Sequence, residues 1–171
     1  MLTTKSAQNN DLLIQVKKSQ IEPYYSKLNN LLRNSELEEA DKLTSQWMLA
    51  VAGKWQEKNF RAEDSQKFPC EDLRTIDALW TKYSDQYGFS VQSSIWRSSE
   101  VNRDLIKFMS GVGWGKLEKQ KDGKDIFIFV SVTDFSLNAP KGQLPWLVTW
   151  EGSDGFRDRT AYISKIASCG I

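Results

Sequence analysis

The stretch "FPCEDLRTIDALWTKYSDQYGFSVQSSIW", residues 68–96, constrains the fold more than any other part of the chain. Leu73, Ile76, Leu79, Trp80 and Tyr83 recur three and four positions apart, which places them on one face of a helix. Glu71 and Asp72 fall in its first turn, where negative charge suits the positive helix end. Gly88 is expected to stop this helix and Ser90 to cap the next, which carries Val91, Ile95 and Trp96 on one side. Two amphipathic helices meeting at a tight Tyr–Gly–Phe–Ser hinge must bury both stripes in one core, so a mainly α domain follows. The hinge is rich in large rings, and no catalytic residue type stands out among them.

The flanking sequence extends the same pattern. Leu12, Leu13 and Val16 make a short amphipathic leader, so residues 1–21 read as an extension and 22–171 as one core domain. Pro23 opens a fresh helix bearing Tyr24, Leu28, Leu31 and Leu32. Ser35 with Glu38 fits a capping box for a helix running to about Val51 and ending at Gly53. Its apolar face comprises Leu37, Ala40, Leu43, Trp47 and either Met48 or Val51. A short helical turn precedes Phe68, and "VNRDLIKFMSGVGW" predicts a helix with Leu105, Phe108 and Met109, closed by Gly111 and Gly113. In "KLEKQKDGKDIFIFVSVTDF" a Lys–Asp–Gly turn separates two β-prone runs, the signature of a short hairpin. The irregular "SLNAPKGQLPWLVTWEGSDG" follows, and a last helix is expected from Phe156 to about Ser168. Loops this long are functional or disordered, and Trp146 and Trp150 argue against disorder.

Composition excludes several function classes. Lys and Arg nearly cancel Asp and Glu, leaving a net charge of +1, which opposes a broad nucleic-acid footprint. Histidine is absent, removing the commonest general base and metal ligand. Cys70 and Cys169 are too few for a four-ligand zinc site and are expected as reduced thiols, with a single bridge between them as the alternative. No apolar run is long enough to span a membrane and no secretory signal opens the chain, so a cytoplasmic protein is expected. Glu71, Asp72 and Asp77 do not form a catalytic pair, because helix-end charge compensation accounts for the first two. "GVGWG", residues 111–115, follows a helix rather than a strand, so it reads as a helix cap and turn instead of a phosphate loop. Trp47 and Trp80 read as core. What remains is a set of rings, Phe89, Trp96, Trp114, Phe127, Phe129, Phe135, Trp146 and Trp150, each open to a reading as core or as the wall of a slot for a flat ligand, with the loop rings Phe135, Trp146 and Trp150 favoured as wall.

Together, "FPCEDLRTIDALWTKYSDQYGFSVQSSIW", "VGW", "FSLNAPKGQLP" and the closing "SKIASC" resemble the genomes-uncoupled-four family of tetrapyrrole-binding proteins, porphyrin-binding activators of magnesium chelatase. The resemblance covers about Tyr24 to Ile171. It implies a cupped-hand helical domain whose long aromatic-rich loop helps close a cleft for protoporphyrin IX or magnesium protoporphyrin IX. It also implies binding rather than catalysis, with the large porphyrin-binding subunit of magnesium chelatase as partner and chlorophyll biosynthesis as setting. A monomer peripheral to photosynthetic membranes, with no required cofactor and no resident metal, is the corresponding expectation. By this likeness Phe89 and Val91 belong to the hinge, Trp146 packs on the macrocycle, and Lys165 and Cys169 fall in the closing helix. Lys165 stands where the family pattern has Arg, which keeps the charge and loses the bidentate grip on a propionate. Gly115 stands where the pattern has a cation, with Lys116 as its substitute, and Gln143 replaces a His.

These departures suggest a divergent paralogue, and the alternative reading is an interaction or sensory module that binds another tetrapyrrole, such as a bilin, or no ligand. A covalent bilin on Cys70 or Cys169 is the less favoured form. The expected ligand-binding set is Phe89, Val91, Trp96, Arg97, Trp114, Lys116, Phe135, Lys141, Trp146 and Lys165. Its rings would set affinity, and its basic residues, with Arg157, would set orientation.

Overall fold

A computed structural model describes residues 22–130, 133–146 and 155–171. The expected leader and Trp150 lie outside these residues. The order is α1 (22–33), α2 (Leu37–Ala52), α3 (Ala62–Lys67), α4 (Cys70–Tyr83), α5 (Phe89–Arg97), α6 (Leu105–Gly111), β1 (Gly115–Lys119), β2 (Asp125–Phe129) and α7 (Gly155–Ser168). The mainly α expectation, with one antiparallel hairpin, is met.

The helical stripes fold inward as their spacing requires. Leu28 and Leu32 of α1, Leu37, Ala40, Leu43, Trp47 and Met48 of α2, and Leu73, Ile76, Leu79 and Trp80 of α4 are all buried in one core. Trp80 also satisfies its indole, donating Nε1–H to Thr44 Oγ1 at 3.0 Å. α7 packs against α3 and α5, and α6 packs against β1, so the last helix and the hairpin meet over the second half of the core.

The two serine caps are not formed. Ser35 ends α1 rather than starting α2: it has a φ of 58°, its N–H donates to Leu32 O at 3.1 Å, and Glu36 N donates to Leu31 O at 2.9 Å. That pair of bonds is a helix C-terminal motif, which takes Ser35 out of the extended conformation an N-cap needs. Glu36 precedes α2 with no side-chain cap. Similarly, α4 stops at Tyr83, and Gly88 is the residue before α5, with Ser90 inside its first turn. Gly88 has a φ of 126°, and a Cβ there would lie 2.9 Å from both Asp77 Oδ1 and Thr81 Cγ2. Only glycine fits. Asp77 supplies the cap from α4 instead, accepting from Ser90 N at 2.8 Å and from Ser90 Oγ at 3.1 Å. Burial pushes the Asp77 carboxyl above its ordinary value, partly opposed by these bonds.

Gly53 and Gly113 do close their helices. Gly113, with φ 74°, lets Trp114 N reach back to Met109 O at 2.8 Å, which turns the chain into β1.

Cys70 and Cys169 form a disulfide, against the expected thiols. The packing of α4 and α7 brings the start of one and the residue after the other to a Cα separation of 5.3 Å, inside bridging range. Arg74 Nη1 donates to Cys169 O at 2.6 Å and Arg97 Nη2 to Ile171 O at 2.8 Å, fastening the same tail.

Candidate functional site

The irregular segment 133–146 is held by hooks from the helices, because a chain without regular structure must find partners for its backbone elsewhere. Gly88 N donates to Leu144 O at 3.0 Å, and Gly142 N to Gln86 O at 2.8 Å. Tyr87 Oη donates to Ser136 O at 2.7 Å. Gln92 Nε2 donates to both Gly142 O and Pro145 O at 3.0 Å. Trp114 Nε1 donates to Gln143 O at 2.9 Å, and Gln143 Nε2 to Gly113 O at 3.3 Å. The Leu144–Pro145 peptide is cis. Trp146 emerges at the end of this strap, its N–H bound to Asp41 Oδ1 at 2.6 Å. Gln143 therefore does structural work in the strap.

Behind the strap runs a chain of edge-to-face rings. Trp96 meets Phe108 at 5.6 Å, Phe108 meets Trp114 at 5.4 Å, and Trp114 meets Trp146 at 5.1 Å. Phe89 joins through Tyr162, at 6.1 Å. Phe89, Trp96 and Trp114 are buried. The slot expected among them is filled by their own packing, so these three form the backing of a wall and Trp146, half-buried, is its outward member.

The outward surface is built by the hairpin and α7. With Gly115 opposite Phe129 and Leu117 opposite Phe127, those residues share one face of the ribbon, while Lys116, Glu118, Ile126 and Ile128 take the other. Gly115 is needed for closeness, since a Cβ there would lie 2.4 Å from the Phe127 ring. Phe127 and Phe129 are 5.1 Å apart, and Phe156 from the start of α7 lies 6.1 Å from the first and 5.8 Å from the second. Arg159, one turn on, sets its guanidinium 4.4 Å from the Phe129 ring and 5.6 Å from the Trp146 ring. Its Nη1 donates to Gly155 O at 2.9 Å. Burial pulls the Arg159 pKa down to about 10, with the Asp158 charge opposing, so the group is still a cation at neutral pH. Leu117 and Phe156 remain exposed at the margin. The described residues here make an apolar, ring-lined patch beside the enclosed Arg159 guanidinium, suited to the flat face of a planar anion.

A second feature is an open groove of about 470 Å³ along the outer side of α5. Val91 and Lys141 line it, with Ser90, Ser94, Ile95 and Glu100.

The expected site residues are thus divided. Phe89, Trp96, Trp114 and Trp146 belong to one ring chain, and Val91 and Lys141 to the α5 groove. Phe135 is partly buried against the core. Arg97 holds Ile171. Lys116 sits on the opposite face of the hairpin from Phe127, paired with Glu118 at 2.7 Å. Lys165 donates to Gln66 O at 3.2 Å, and Arg157 pairs with exposed Glu63. Sequence reasoning passed over Arg159, Phe156 and Leu117. A usable signal was the strand alternation, which puts Leu117 beside Phe127 once the Lys–Asp–Gly turn fixes the register.

Among the described residues no helix is long and apolar enough to cross a membrane, and no cluster of acidic or sulfur ligands is arranged for a metal.

Comparison with known proteins places this architecture. Residues 18–161 match the model of the GUN4-like family. The chain is 32% identical over 126 residues to a Ycf53-like protein of Synechocystis sp., covering 72% of this chain and 51% of that protein. It is 37% identical over 94 residues to a chloroplastic tetrapyrrole-binding protein of Arabidopsis thaliana, covering 53% of this chain and 34% of that one. The fold resembles the ligand-free structure of Arabidopsis thaliana GUN4 with a TM-score of 0.63 and 25% identity, over 85% of this chain and 91% of that chain. The match thus spans about a third to a half of the length of these curated relatives. On a family match that takes in most of its residues, the chain belongs to the GUN4-like family.

Proposed function

We propose that this chain binds a tetrapyrrole, protoporphyrin IX or magnesium protoporphyrin IX, against the patch formed by Phe127, Phe129, Trp146, Phe156 and Arg159, and that it acts by binding rather than by catalysis. The observation that carries the reading is Arg159 held between the Phe129 and Trp146 rings beside exposed apolar surface. The tetrapyrrole-binding name of the Arabidopsis relative supports the ligand class. Val91 and Lys141 would contact a substituent only if the ligand extended to α5.

Burial of apolar surface supplies most of the affinity. A macrocycle burying about 300 Å² of apolar area gains on the order of 7 kcal/mol at ~25 cal/mol/Å². A charge-assisted bond from the enclosed Arg159 guanidinium to a propionate adds about 1.5–3 kcal/mol. A micromolar Kd needs about 8 kcal/mol net, so after association costs of at least about 4 kcal/mol binding weaker than micromolar follows. The rings therefore set affinity, and Arg159 sets which edge of the ligand faces inward. We further propose that the bound porphyrin serves magnesium insertion, with the large subunit of magnesium chelatase as partner.

Titration of the purified chain with protoporphyrin IX, magnesium protoporphyrin IX and a bilin, followed by visible absorption, tests the reading. A saturable shift with a porphyrin supports it. A shift with the bilin alone replaces the ligand, and no shift with any of them removes the function. A chelatase assay with and without the chain tests the partner.

A further inference from the structure

Two of the bonds to the helices fall at Trp146, the last described residue of the strap. The carbonyl before it, on Pro145, accepts from Gln92 at 3.0 Å, and its own N–H donates to Asp41 Oδ1 at 2.6 Å. Asp41 lies on α2, between Ala40 and Lys42, and is fully buried. A carboxylate so placed costs free energy unless bonds to it are worth keeping. Its bond to Trp146 joins residues 105 positions apart and fixes the strap end that carries the outward ring. The surroundings are one polar network inside the core: Tyr162 Oη donates to Gln92 Oε1 at 3.0 Å, and burial first, then the charges of Asp41 and Asp77, raise the pKa of the Tyr162 phenol and keep it protonated. Nothing in the helical pattern of α2 requires a charge at this position, where the neighbours on the same face are Leu37, Thr44 and Met48.

We infer that Asp41 is the positioning residue of the ligand site, setting the Trp146 ring against Trp114 and Arg159 through the Trp146 backbone. The inference rests on the tetrapyrrole reading of that wall. Asp41 touches no ligand in this arrangement. Its effect on binding is passed on through Trp146, and that dependence separates a positioning role from a general contribution to stability.

A double-mutant cycle on the full chain tests it, with Kd for protoporphyrin IX read from the visible absorption shift. Asp41→Asn keeps an oxygen acceptor of the same shape but replaces a charge-assisted bond by a neutral one about half as strong. It is expected to fold and to weaken binding about fivefold. In the Trp146→Ala background the same change is expected to alter Kd by less than about 1.5-fold, because the ring it positions is gone. The amide proton of Trp146, observed by NMR in the free protein, is expected to move upfield in Asp41→Asn as its charged acceptor is lost. Equal losses in both backgrounds would make Asp41 a stability residue and overturn the inference alone. An Asp41→Asn variant that binds like the wild type, while Trp146→Ala is weakened, would overturn it in the same way. A neutral Trp146→Ala, or a wild type that does not bind, overturns the wall and the inference together.

Discussion

Replacing Trp146 by alanine removes the outermost ring of the chain that begins at Trp96, and its effect follows from the contacts around it. The ring meets Trp114 edge-on at 5.1 Å and lies 5.6 Å from the Arg159 guanidinium. An indole buries about 150–250 Å² when wholly covered. If one face, on the order of 60–80 Å², meets the macrocycle, its loss at ~25 cal/mol/Å² removes about 1.5–2 kcal/mol. That is roughly a 10- to 30-fold rise in Kd. Stability falls less than for a core tryptophan, by about 2 kcal/mol, near half of the full large-to-small cost, because the ring is only half-buried. Trp146→Phe keeps a ring and is expected to lose about threefold in affinity, since part of the contact area remains. The assay is an absorption titration with each variant at matched helical ellipticity. A Trp146→Ala protein that is folded and binds with unchanged Kd refutes the assignment of this ring to the wall.

Four further outcomes are expected. Arg159→Gln weakens binding of a porphyrin with free propionates about tenfold and of its dimethyl ester about twofold, whereas Lys165→Ala, whose ammonium reaches Gln66 O, changes neither in the same titration. Gly115→Ala, whose Cβ would sit 2.4 Å from the Phe127 ring and 2.5 Å from Ile128 O, lowers stability by about 1–3 kcal/mol in urea unfolding. Reducing the Cys70–Cys169 disulfide, which closes a separation of 99 residues, costs up to about 4–5 kcal/mol, seen as a lower Tm with dithiothreitol. Asp77 has a folded-state pKa raised by burial, so its favourable contribution is complete below the ordinary value of 3.8 and is lost as pH rises through the raised value. Asp77→Asn, which keeps an acceptor for Ser90, should therefore gain stability relative to the wild type between pH 3 and pH 7, and a constant difference across that range contradicts the stated cause.

The helices were legible because each buries a stripe, and a stripe leaves its period in the sequence: Leu73, Ile76, Leu79 and Trp80 need no partner to be recognised. The hairpin was legible from its turn. Caps were less so, since Ser35 fits an N-cap by residue type and the packing of α1 makes it a C-terminal residue with φ 58°. The disulfide depends on how α4 and α7 meet, which no local pattern records. For the site, residue type pointed equally to Trp146, which is half-buried at the end of the strap, and to Phe89, Trp96 and Trp114, whose rings interlock in the core. Arg159 was hidden for the opposite reason. On sequence it is one charge among several in "GFRDRTAYISK", and only the fold puts it over Phe129 while Arg157 goes out to Glu63. Asp41 likewise reads as a solvent residue until its burial is seen.

Where the ligand sits is the point on which the account turns, and chemical-shift mapping with isotopically labelled chain and protoporphyrin IX reads it directly. Ring-current shifts fall off steeply with distance from a macrocycle, so large changes confined to Leu117, Phe127, Phe129, Trp146, Phe156 and Arg159 are the predicted result. Changes centred instead on Ser90, Ser94 and Ile95, with the hairpin and Trp146 undisturbed, would place the ligand in the α5 groove and contradict it.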